Sequence, residues 1–157
     1  MRAVRLNVFR GRIDSVDDIV ALATRCHSVV GWHSEIYADA AALKPHIDRL
    51  AKLPKLSIDH LGMNGEGLPV LLDLVAAGWK VKATGFGRVK MDVPKVLEAV
   101  AKKSPDALVF GTDIPSTRAA RPFEAADIEL IERVLGRELA QKAFWDNPLA
   151  LYKVKTA

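Results

Sequence analysis

Short apolar runs alternate with longer amphipathic stretches along this chain. The β-type runs cover residues 3–9, 31–37, 55–59, 79–83 and 107–111, and most are rich in Val, Ile, Leu or aromatic residues. Between them the apolar positions recur at helical spacing. Residues 15–29 place Val16, Ile19, Val20, Leu22 and Ala23 on one side, with Ser15 or Asp14 suited to the N-cap. Residues 40–52 carry a Leu43, Ile47, Leu50 stripe, which requires Pro45 to fall in the first turn. Further helices are expected over 68–77, closed by Gly78, and over 93–103, with Pro94 near the start and Pro105 beyond the end. Two more are expected over 123–135 and 137–144.

Strand–helix alternation with short connections implies parallel strands joined by right-handed crossovers. Two α/β architectures satisfy it: a (β/α)8 TIM barrel and an open doubly wound sheet. The second would need a phosphate-binding glycine loop. The nearest match is Gly85-Phe86-Gly87, with Lys90 where a third glycine should stand. Length favours the barrel. A full one takes about 250 residues, so five of eight units would take roughly 156. The chain has 157 residues and five such units. It is therefore expected to be a single domain over residues 1–157, an incomplete barrel holding about strands 4 to 8.

Composition narrows the function classes. No stretch approaches the ~20 apolar residues of a membrane span, and the start has no signal-peptide pattern. The single cysteine, Cys26, lies in a helical pattern and has no internal partner for a disulfide. A cytoplasmic, reducing location is the expectation. The net charge of +4 comes from Lys and Arg scattered among 19 acidic residues. Nucleic-acid binding needs a continuous positive face, so neither nucleic acid nor membrane is expected as a partner. A small carboxylated substrate needs only a few placed arginines.

Two segments carry candidate chemistry. In Ser57-Ile58-Asp59-His60-Leu61-Gly62 a β run ends in a polar pair, which puts His60 at the C-terminal mouth of its strand, where barrels place reactive groups. In Val109-Phe110-Gly111-Thr112-Asp113-Ile114-Pro115, alternation sets Val109, Gly111 and Asp113 on one face, with the glycine expected to leave room for a ligand. The competing reading of Asp113 is a turn cap. Around other strand ends lie Arg5, Asn7, Arg10, Tyr37, Lys82 and Arg88, with His33 and Glu35 on the Tyr37 face. Converging on one mouth, they would make a pocket for a small polyanion.

These segments resemble the amidohydrolase-related branch of metal-dependent hydrolases, and within it the 2-pyrone-4,6-dicarboxylate lactonase-like group. The resemblance rests on AVRLN, GWHSEIYAD, SIDHLG, WKVKATGFGR, VFGTDIP and FWDNPLALY, in the family's order. It implies that Asp113 is the general base on the attacking water and that His60 polarises the substrate carbonyl, or binds metal. It also implies that Arg5, Arg10, Tyr37 and Arg88 hold substrate carboxylates. Three departures stand out: the family's His-x-His pair has no counterpart, Met63 stands in place of an arginine, and Ser116 in place of a histidine.

Three functions follow. The first is a hydrolase of a lactone or ester of a small carboxylated substrate, needing no cofactor. The second is a divalent-metal hydrolase or decarboxylase, with a metal such as Zn on His60 and Asp113. The third is an inactive fragment or assembly module. A barrel lacking units exposes two parallel sheet edges, which are expected to pair with a missing N-terminal part or to drive homo-oligomerisation.

Overall fold

The computed structural model describes residues 1–8 and 15–154. Five parallel strands form one sheet in chain order: β1 (Ala3–Asn7), β2 (His33–Tyr37), β3 (Leu56–Ile58), β4 (Lys80–Ala83) and β5 (Leu108–Phe110). The crossovers carry α1 (Val16–Val30), α2 (Ile47–Leu50), α3 (Leu68–Ala76) and α4 (Val93–Lys103), and α5 (Ala125–Gln141) and α6 (Asn147–Tyr152) follow β5. This is an incomplete (β/α)8 barrel. Sequential neighbours throughout, without a strand-order reversal, exclude the doubly wound alternative.

Alternation splits the sheet into two unlike faces. Leu6, Ile36, Leu56, Ile58, Val81, Ala83 and Leu108 are buried and pack with Ile19, Leu43, Leu71, Leu74, Leu97 and Ile131 of the surrounding segments into one core. The opposite face carries Arg5, Glu35, Asp59 and Lys82, bound to one another across the strands. That charged face is the concave, lumen side.

The helices begin and end where local chemistry dictates. Ser15 caps α1 by accepting from the Asp18 amide, and Gly31 closes it in the left-handed region (φ 66°), so β2 starts at His33 rather than at residue 31. The stripe over 40–52 is not one α-helix. Ala40–His46 is a 3-10 segment with Pro45 inside it, and α-helix is confined to Ile47–Leu50. In an α-helix the Pro45 ring would clash with the carbonyl four residues back, so α-helix begins only after it. Gly136 (φ 71°, ψ 171°) breaks α5 between the two helices expected there, and a π-type segment, Lys142–Asp146, leads into α6.

The sheet ends at β1 and β5, and the two edges differ. Val8 N–H donates to the Tyr37 carbonyl and His33 N–H to that of Arg2, so the even-numbered peptides of β1 serve β2 and the odd-numbered ones face outward. On β5, the outward Leu108 carbonyl accepts from Asn147 Nδ2 at 2.8 Å, and the Pro105 carbonyl accepts from the same nitrogen at 3.2 Å. The expectation of two bare edges is corrected here: the start of α6 covers part of the β5 edge.

Candidate active site

The concave face opens at the C-terminal ends of the strands into a cavity of about 340 Å³, bounded by Arg5, Tyr37, His60, Arg88, Asp113 and Arg118 among others. His60 follows β3 by two positions and Asp113 follows β5 by three. Both sit in the left-handed backbone region, at φ 50° and 61°, a conformation that costs a non-glycine residue about 1–3 kcal/mol. The turns they occupy hold both side chains at the mouth.

Gly85 locates the two relative to each other. A methyl group built on it would lie 2.7 Å from His60 Nδ1 and 2.9 Å from Asp113 Oδ2. Imidazole and carboxylate therefore converge on one point over the end of β4, and only glycine leaves that point open. The second glycine of the same turn has another cause: a Cβ on Gly87 would come 2.2 Å from the Arg121 carbonyl oxygen. Gly85-Phe86-Gly87 is a close-approach turn, with Phe86 buried in the core.

His60 is buried, its Nδ1 paired with Thr84 Oγ1 at 2.8 Å and its ring edge-on to Tyr37 at 5.4 Å between centroids. Burial lowers its pKa below 6.5, aided by Arg88; the Asp59 and Asp113 carboxylates oppose this without overcoming it. The neutral imidazole is thus favoured near pH 7. Asp113 is ion-paired with Arg88, whose Nη1 also donates to the Thr117 carbonyl at 2.8 Å. Gly111 does not open space for a ligand as expected: a Cβ there would lie 3.0 Å from Thr84 Cγ2, so the vacancy is filled by the residue that orients His60.

Arg5 donates Nε–H to Asp59 Oδ2 at 2.7 Å and lies over the Tyr37 ring, 4.7 Å from its centroid. Below it, Lys82 bridges Glu35 at 2.6 Å and Asp59 at 3.7 Å, while His33 Nε2 and Tyr152 OH reach the same Glu35 oxygen at 3.2 and 3.1 Å. Burial resists ionisation of Glu35, yet these hydrogen bonds and the Lys82 charge hold its pKa down at about 2. At Lys82 burial acts to lower the pKa, but the hydrogen bond to Glu35 and the charges of Asp59 and Glu35 outweigh it and raise the pKa.

Of the residues singled out in the sequence, Arg5, Asn7, Tyr37, His60, Arg88 and Asp113 line the one mouth. Arg10 lies outside the described residues. Thr84 and Arg118 were not anticipated. A hydroxyl one position past the end of β4 signals the first; nothing in the sequence signals the second.

A divalent cation would find two ligands here among the described residues. His60 and Asp113 would be its two protein ligands, and Asp113 is already bound to a guanidinium. Among the described residues no group of three His, Cys, Asp or Glu side chains converges as metal ligands. Likewise, no helix among them is long and apolar enough to cross a membrane.

The amidohydrolase family model matches residues 1–154. The chain belongs to the amidohydrolase family. A solved apo structure from Agrobacterium tumefaciens matches at 26% identity and a TM-score of 0.69, covering 91% of this chain and 57% of that one. An amidohydrolase 2 from Bifidobacterium longum subsp. infantis shares the fold at 19% identity and a TM-score of 0.59, over 84% of this chain and 54% of its own. No curated protein matches. The chain thus spans little more than half the length of these solved relatives.

Proposed function

We propose that this amidohydrolase chain carries the water-activating half of a site that hydrolyses a lactone or ester of a small carboxylated substrate. The observation that supports this most directly is the meeting of His60 Nδ1 and Asp113 Oδ2 over Gly85. A base and a polarising group on one point can serve a water and a carbonyl together. Asp113 takes a proton from water as the water oxygen bonds to the carbonyl carbon. Charge then develops on the carbonyl oxygen, which the His60 imidazole stabilises. As the tetrahedral centre collapses, the ring C–O bond breaks and the alkoxide recovers the proton from Asp113, giving a hydroxy acid. Arg5, Arg88 and Tyr37 supply the contacts for the substrate's carboxylate, Arg88 being drawn from Asp113 as it binds. The outward peptides of β1 suit pairing with further βα units or a second copy to complete the wall opposite this face.

The test is hydrolysis of isocitric lactone, which carries two carboxylates, followed by proton release at constant pH before and after chelator treatment. Turnover that survives chelation and is lost in Asp113→Asn is the expected result. Loss on chelation, restored by a divalent metal, would overturn the reading in favour of metal-assisted hydrolysis.

A further inference from the structure

Beneath the mouth lies a second cavity of about 290 Å³, where Arg5, Glu35, Asp59 and Lys82 meet the undersides of His60 and Asp113. On the strands and the turn after β3, two cations and two carboxylates alternate; Asp113, the third carboxylate of the lining, is paired with Arg88 of the mouth. Asp59 is central: its side chain is only 4% exposed, Oδ2 accepts from Arg5 Nε, and Oδ1 faces Lys82. Lys82 is anchored in turn by Glu35, and Glu35 by His33 and Tyr152. A chain of contacts therefore runs from α6 through the sheet's concave face to Arg5.

The edge of the guanidinium that Asp59 uses matters. A guanidinium grips a carboxylate with two parallel N–H donors, either along its Nε side or across its two terminal nitrogens. Asp59 occupies Nε, and the Tyr37 ring supports the guanidinium face. Half of the Arg5 side chain remains exposed in the mouth. The remaining fork, across the terminal nitrogens, suits an incoming carboxylate, and the side chain that presents it is already fixed. A flexible arginine would lose rotamer entropy on being ordered, so fixing it in advance favours binding. Counted with Arg88, which pairs with Asp113, the three cations and three carboxylates sum to zero, so the site does not repel an anion.

We infer that Asp59 is the positioning residue of a carboxylate subsite, holding Arg5 by Nε so that its terminal nitrogens receive one carboxylate of the substrate. This rests on the lactone reading and adds to it: the ring substrate carries a carboxylate directed at β1, and Asp59 sets the preference for it without touching it.

Two measurements test this. In the first, isocitric lactone and uncharged γ-butyrolactone are compared in the wild type, Asp59→Ala, Arg5→Gln and the double variant. Asp59→Ala is expected to lower the preference for isocitric lactone tenfold or more, through KM rather than kcat, and the double variant to be no worse than Arg5→Gln. An unchanged preference, or losses that add in the double variant, would show a merely structural role and overturn the inference. Asp59→Asn guards against misfolding of the alanine variant. It can offer its oxygen to Arg5 only by turning its NH2 to Lys82, and an intermediate preference is expected.

The second measurement needs no turnover. The Arg5 Nε–H resonance, assigned by its loss in Arg5→Gln, is expected to exchange slowly in the wild type and to shift saturably with succinate. Both behaviours should vanish in Asp59→Ala, and their persistence there would overturn the inference. If both vanish while the wild type hydrolyses neither lactone, the lactone reading fails and the subsite stands.

Discussion

The Arg88 guanidinium is paired with the Asp113 carboxylate while also holding the Thr117 carbonyl. One side chain thus ties the proposed base to the loop that forms the rim of the mouth. Ser116 tightens the same loop, its N–H and hydroxyl both donating to the Asp113 carbonyl, at 2.6 and 3.1 Å. Substitution of Asp113 by Asn keeps the size and one acceptor but removes the base. We expect kcat to fall by about 10²–10⁴-fold, the usual contribution of a positioned base. A loss smaller than tenfold, with the thermal melt unchanged, would remove Asp113 from that role.

Gly85→Ala tests the convergence itself. The added methyl meets His60 and Asp113 at under 3 Å, and φ of 61° is strained for alanine. Both effects predict loss: about 1–3 kcal/mol of stability from the backbone, and of activity from displaced side chains. Gly78→Ala is the control. Its φ is 93°, but nothing lies within 4 Å of the new methyl. It should cost stability in a denaturant melt and leave kcat/KM near the wild-type value.

Thr84→Val is nearly isosteric and removes the hydroxyl paired with His60 Nδ1. Because His60 is buried, its lost partner is not replaced freely by water. We expect a destabilisation of about 1–3 kcal/mol together with a lower kcat. Unchanged kcat alongside that destabilisation would make the Thr84–His60 bond purely structural.

Glu35 gives a pH dependence with a defined sign. Its pKa is held at about 2 against an ordinary 4.5. The stability it contributes is therefore fully present above pH 4.5 and is lost as pH falls toward 2. Glu35→Gln removes that contribution. The stability gap between wild type and variant, followed by urea unfolding, should be constant above pH 5 and close progressively below 4.5. A gap that widens in acid would contradict the network.

Much of this is legible in the sequence. Strand identity followed from short β-rich runs, and the placement of His60 and Asp113 followed from polar residues directly after two of them. What escaped was non-local. Asp59 reads as half of a polar pair, yet its meaning comes from Arg5 on a strand 54 positions earlier. Gly111 looked like space for a ligand because its neighbour across the sheet, Thr84, is invisible to a single-strand pattern. Pro45 is visible in the sequence, but the apolar stripe at helical spacing hides that the segment is 3-10 through the proline and α-helical only after it.

Asn147 offers the last test, because it separates edge protection from catalysis. Its Nδ2 donates to the Pro105 and Leu108 carbonyls, the latter on the outward side of β5, and the residue is buried. Asn147→Ala strips the donor from the buried Leu108 carbonyl and the part-buried Pro105 carbonyl, which should cost about 1–3 kcal/mol. It also frees a parallel edge, and free edges recruit other strands. We therefore expect a lower melting temperature together with a concentration-dependent rise in mass by light scattering. The kcat per folded chain should hold, since Asn147 lines neither cavity at the mouth. Destabilisation without association would mean that neighbouring segments already shield β5, leaving β1 as the edge that pairs.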